Sequence, residues 1–111
     1  MLMFALAVFT LVAAMGLALA IGVFKKSPVD RMYAMLHGGL ALLGSGLVIW
    51  AAVDGDERLY INIGLAVVII ILGVLMSWRR SKGLCVRGLA MAHGLLAVIC
   101  YGILAYFTFV R

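Results

Sequence analysis

Two histidines, His37 and His93, stand inside apolar stretches of this sequence, and each follows an arginine (Arg31, Arg87) by six residues. Imidazole binds transition metals, carries protons near neutral pH, and donates or accepts a hydrogen bond according to its tautomer. Within a long apolar segment it is costly, and it faces protein or a cofactor rather than hydrocarbon. One interhelical hydrogen bond, worth about 0.6 kcal/mol, ordinarily explains a lone histidine of this kind. Two in matched surroundings ask for a shared explanation.

The surroundings do match. RMYAMLHGGLA, from Arg31 to Ala41, reads against RGLAMAHGLLA, from Arg87 to Ala97, with seven of eleven positions identical. Lys25, Lys26 and Ser27 precede the first copy as Arg79, Arg80 and Ser81 precede the second. The stretches upstream of each copy align poorly, so the duplicated unit, a helical hairpin, is read from its second half. On a helix the stripe through His37 carries Ala34, Ala41 and Gly44, and the stripe through His93 carries Ala90, Ala97 and Cys100 at the same offsets. Small residues beside an intramembrane imidazole either let helices approach closely or leave room for a flat group.

The donor set narrows the ligand. Zinc takes about four protein ligands, or three and a water. Met35 and Met91 precede the histidines by two residues and point away from them, and Cys100 lies about 10 Å further along its helix. No acidic residue falls within any apolar span. Haem b asks for less, because the porphyrin supplies four nitrogens and the protein only axial ligands. His37 and His93 are the expected metal ligands, with Ala34, Ala41, Gly44, Ala90 and Ala97 lining the cofactor. Arg31 and Arg87 are placed to pair with propionates, although basic residues ending a loop need no such role.

The elements that position these residues follow from composition. The chain has 111 residues, 68% of them hydrophobic and 12% charged, too few charged groups to cover a soluble domain of this length. Apolar spans run from about residues 1–24, 32–53, 59–78 and 88–110, each near the roughly 20 residues that cross a bilayer. Backbone groups in hydrocarbon must be satisfied within their own segment, which selects helices. Runs such as Val67 to Leu72 do not alternate as a barrel strand does. The expected fold is therefore all-α and integral to the membrane: a four-transmembrane up-down helix bundle from a duplicated helical hairpin. It forms one membrane domain, with hairpins over 1–53 and 59–110. The histidine helices run parallel at diagonal corners, with axes roughly 11–14 Å apart. His37 and His93 share one depth, about 9 Å along their helices from the arginines. In architecture this resembles the membrane cytochromes b: a small bundle, parallel histidine helices and short loops. The resemblance rests on no family motif and assigns no residue.

Charge sets the orientation. Seven of the nine Lys and Arg residues lie in or beside the first and third connections, and three of the four acids lie in the second. By the positive-inside rule both termini are extracytoplasmic, in what reads as a bacterial inner membrane. The net charge of +5 is then a topology signal, with contacts to anionic lipid heads, and calls for no nucleic acid. The first span lacks a basic n-region and is too long for a signal peptide, so it is read as a retained helix. Cys85 falls in a cytoplasmic loop and Cys100 within a span, which disfavours a disulfide. Gly16, Gly46, Gly64, Gly73 and Gly102 read as packing glycines. Ser27–Pro28 and Asp54–Gly55 read as turns, and Trp50, Tyr60, Trp78, Tyr106 and Phe107 as an interfacial belt.

No nucleotide, hydrolase or metalloprotease motif is present. Three functions remain, in this order. The first is a bis-histidine b-haem electron carrier, a redox carrier rather than a hydrolase or transferase, working between quinone and a redox partner subunit. The second is a non-catalytic accessory or assembly subunit of a larger membrane complex. The third is a proton or ion pathway, for which Ser45 and Tyr101 offer little beyond the histidines. Any of the three is compatible with a homo-oligomer.

Overall fold

The structure is a computed structural model that describes residues 2–25 and 30–110. Four helices account for nearly all of it: α1 (Leu2–Phe24), α2 (Arg31–Val53), α3 (Tyr60–Ser81) and α4 (Arg87–Phe109). All four are long and apolar enough to cross a membrane. A single 3-10 turn, Glu57–Leu59, leads into α3. The expected turn at Ser27–Pro28 lies outside the described residues.

The helices pack around a ring in chain order. α1 touches α2 and α4, and α3 touches α2 and α4. Among the described residues α2 makes no direct backbone approach to α4, nor α1 to α3, so the histidine helices occupy diagonal corners. The most extensive contacts lie within the hairpins α1–α2 and α3–α4, and α2 against α3 is the sparsest helix pair. The result is a rod of 44 × 20 × 19 Å. At 1.5 Å per residue, helices of 22–23 residues give about 33–35 Å of it.

Packing is tightest at the end that holds the α2–α3 connection. Ala5, Leu6, Val48, Ala52, Leu59 and Leu104 form a buried cluster there, with Leu59 of the 3-10 turn fully buried as a plug. Elsewhere large apolar side chains face outward along every helix, among them Leu17, Leu43, Val68 and Val98. A surface of this kind suits hydrocarbon far better than water.

The helix ends are explained by local chemistry. Asp30 caps α2 by accepting the Met32 N–H at 2.9 Å. α3 continues to Ser81, three residues past the expected end at Trp78. Arg79 and Arg80 are good helix formers, and their charge suits the negative end of the helix dipole. Gly83, at φ +73, then closes α3: its N–H donates to the Arg80 carbonyl and that of Leu84 to Arg79. Gly55, at φ +130, serves the α2–α3 turn as the Asp54–Gly55 pair predicts.

Arg58 ties the tight end together. It donates from Nε and Nη2 to the two carboxylate oxygens of Asp56, and from Nη1 and Nη2 to the carbonyls of Val110 and Phe107 that end α4. Its guanidinium also lies 4.9 Å from the centre of the Phe107 ring. The hydrogen bond from Arg58 holds the Asp56 carboxyl below its ordinary range.

Phe9 of α1 lies in the notch left by Gly44 of α2. A Cβ at Gly44 would meet the tip of that ring at 2.9 Å. Gly44→Ala is therefore expected to destabilise the bundle by about 1 kcal/mol, the low end of overpacking costs because a ring tip can swing aside. Gly46→Ala, which adds its methyl to open space, is the neutral control. Reversible unfolding of both variants in mixed micelles checks this.

Candidate functional site: a pair of facing histidines

In a ring of four helices, side chains from opposite corners meet along the central axis, and His37 and His93 meet there. Their ring centroids are 6.4 Å apart, with the planes tilted at 59°. Both are half-buried, whereas Met35 and Met91, two residues earlier, are exposed on the outside as their 200° offset requires.

Each ring also lies on a glycine of the first helix of its own hairpin. A Cβ at Gly16 would stand 3.0 Å from Cε1 of His37, and a Cβ at Gly73 would stand 3.3 Å from Cε1 of His93. Nδ1 of His93 lies 2.9 Å from the carbonyl oxygen of Ile69, four residues before Gly73. A carbonyl only accepts, so this contact places a proton on Nδ1. Nδ1 of His37 is buried without a partner of regular geometry, and the backbone beside it is that of Val12, four residues before Gly16.

Two of the five glycines read as packing residues are thus imidazole seats, while Gly46, Gly64 and Gly102 face open space. The expectation of packing glycines fits Gly16 and Gly73, where the neighbour is an imidazole, and is corrected for Gly46, Gly64 and Gly102. What distinguishes Gly16 and Gly73 is a large ring arriving from the next helix, and spacing along one helix does not reveal that.

The other expected site residues are placed as follows. Ala34, Ala41, Ala90 and Ala97 are half-buried, as are Leu40 and Leu96 beside them. Gly44 is fully buried, but its free face belongs to Phe9, so the close-approach meaning of small residues applies there. Arg31 is exposed at the start of α2. Arg87 is exposed at the start of α4 and donates from Nη2 to the Phe24 carbonyl at 3.3 Å, which caps α1. Among the described residues no third His, Cys, Asp or Glu joins the histidines as a group able to hold a metal ion. Cys85 and Cys100 are both free thiols.

Polar pairs elsewhere in the bundle went unread in the sequence. Thr10 of α1 meets Tyr101 of α4 at 2.6 Å, and because Thr10 donates to the Leu6 carbonyl, Tyr101 is the donor between them. Asn62 of α3 is only 2% exposed. It donates from Nδ2 to the Cys100 carbonyl at 2.9 Å, with Sγ of Cys100 also within 3.4 Å, and its Oδ1 is left unpartnered. Asn62 is the chain's one carboxamide and sits within an apolar span. The rule that marks the histidines marks it too.

No protein-family model matches the sequence, no characterised relative is found, and no solved structure matches the fold. The functional reading therefore rests on the geometry of the site.

Proposed function

We propose that the chain is an integral membrane protein, a duplicated-hairpin four-helix bundle, in which His37 and His93 are the axial ligands of one b-type haem that carries electrons. The observation that carries this reading is the meeting of the two rings from diagonal helices. Two imidazoles that bind one metal from opposite sides, each nitrogen at about 2.0–2.1 Å, have ring centroids roughly 6 Å apart. The pair at 6.4 Å matches that span.

The donor chemistry fits as well. His93 spends Nδ1 on a backbone carbonyl, the second-shell arrangement that leaves Nε2 to bind metal. With both imidazoles holding it, the haem would supply electron exchange rather than the binding of a gas or substrate. The haem supplies one-electron chemistry when bound, while the chain holds the ligands and keeps the site apolar. Ala34, Ala41, Ala90 and Ala97 would line the haem, and Arg31 and Arg87, at the starts of α2 and α4, would pair with its propionates. Partners are quinone or a redox subunit reached through the bilayer.

Full-length protein from a haem-replete host, purified in mild detergent, tests this directly. The expected result is a sharp α-band and Soret peak on reduction, with one haem per chain. A colourless protein overturns the carrier reading and leaves the accessory-subunit reading in its place.

The interhelical polar pairs favour a second reading, proton conduction. Thr10–Tyr101 and Asn62–Cys100 add hydrogen-bonding groups beyond the histidines. Proton flux into liposomes that is lost in Tyr101→Phe would support it.

A further inference from the structure

In each hairpin a glycine on the first helix faces the histidine on the second, and in the second hairpin the carbonyl that Nδ1 of the histidine reaches belongs to Ile69, four places before Gly73. In a helix that carbonyl already accepts the glycine's own N–H, so only its second lone pair is free. A Cβ on the glycine stands beside that lone pair and holds a ring away from it; without one, the Cε1 edge of an imidazole can approach the helix and its in-plane Nδ1–H can reach the carbonyl. The glycine seat occurs in both hairpins, which makes it a property of the duplicated unit, and Val12, four residues before Gly16, holds the place that Ile69 holds before Gly73.

We infer that Gly16 and Gly73 are positioning residues. Each opens the carbonyl four residues upstream to Nδ1–H of the facing histidine, and so holds both rings with Nδ1 protonated and Nε2 free. Two observations carry this independently. The His93–Ile69 bond, at 2.9 Å, is already formed. Nδ1 of His37 is a buried polar atom without a regular partner, and the Val12 carbonyl is the acceptor that the repeat assigns to it. Free histidine prefers its proton on the other nitrogen, Nε2, so the helix backbone must reverse that preference. A hydrogen bond of ordinary net strength biases the tautomer by about tenfold. The role of Nε2 as a metal ligand rests on the haem reading, whereas the tautomer itself does not.

The test is nitrogen NMR of the full chain, labelled with 15N-histidine and held in detergent micelles without haem at mildly alkaline pH. Both rings of the wild type are expected to carry the proton mainly on Nδ1, in a ratio below the roughly tenfold bias of the hydrogen bond because the intrinsic Nε2–H preference opposes it. Gly16→Ala should return His37 alone to the Nε2–H form, and Gly73→Ala should do so for His93 alone. The effect should be larger at position 16, where the added methyl meets the ring at 3.0 Å rather than 3.3 Å. Gly64→Ala and Gly102→Ala, with open space at the methyl, should change neither ring. Wild-type rings protonated on Nε2 overturn the inference even if a glycine variant fails to fold. So do folded glycine variants with unchanged tautomers. A colourless protein whose rings keep the proton on Nδ1 supports the inference while removing the haem.

Discussion

Replacing either histidine alone, as His37→Ala or as His93→Ala, is expected to abolish the six-coordinate low-spin spectrum of the haem-loaded protein. The expectation follows from the count of donors. The two imidazoles are the pair available at the centre, and no third His, Cys, Asp or Glu among the described residues stands ready to replace one. Loss of an outer-shell partner alone typically costs about 10- to 100-fold in metal affinity. Loss of an axial ligand should cost more and leave either an open iron position or an empty site. The two variants should behave alike, because the duplicated hairpins place their rings in equivalent seats over Gly16 and Gly73. His93→Met separates ligation from packing: a thioether in place of one imidazole keeps six-coordination and raises the reduction potential. Single alanine variants with unchanged spectra would place the ligands elsewhere and remove the paired-histidine site.

How much of this was legible in the sequence depends on whether the information was local. The helices were legible because an apolar run of the length that crosses a bilayer selects a helix, and the observed helices depart from the runs mainly where charge misleads. Arg79 and Arg80 end an apolar window but not a helix, since long basic side chains extend along the helix end while the backbone continues. The pairing of His37 with His93 was legible because a shared offset from Arg31 and Arg87, combined with hairpin topology, fixes depth and corner together. The seats beneath the rings were not. Gly16 and Gly73 sit in the poorly aligned halves of the repeat, 21 and 20 residues before their histidines, and their role appears only when the neighbouring helix arrives. Gly44 shows the converse: its place on the histidine stripe is local, but the ring that fills its notch comes from Phe9 on another helix. Asn62 was legible in type, since an amide within an apolar span needs partners just as a histidine does, but its partner, the Cys100 carbonyl, lies on another helix.

A reporter that is active only in the cytoplasm is expected to stay silent when fused after Arg111, and to be fully active when inserted at Gly83. The fold gathers the basic connections at one end. Arg87 at the start of α4 caps α1 at Phe24, which puts the first and third connections side by side. The opposite end holds the start of α1, the second connection and the end of α4. Its one basic residue among the described residues, Arg58, is an apparent exception to the positive-inside rule, and the structure shows how it is absorbed. Its guanidinium is spent on the Asp56 carboxylate, on the last carbonyls of α4 and on the face of Phe107. A charge neutralised in this way does little to hold its loop in the cytoplasm. Lys25, Arg79, Arg80, Lys82 and Arg87 have no acidic partner among the described residues, so they keep their full weight as retention signals. Strong cytoplasmic activity of the Arg111 fusion, with a silent Gly83 insertion, would invert the bundle. The histidine pair would then lie nearer the outer face, and the electron partners would have to be sought on that side.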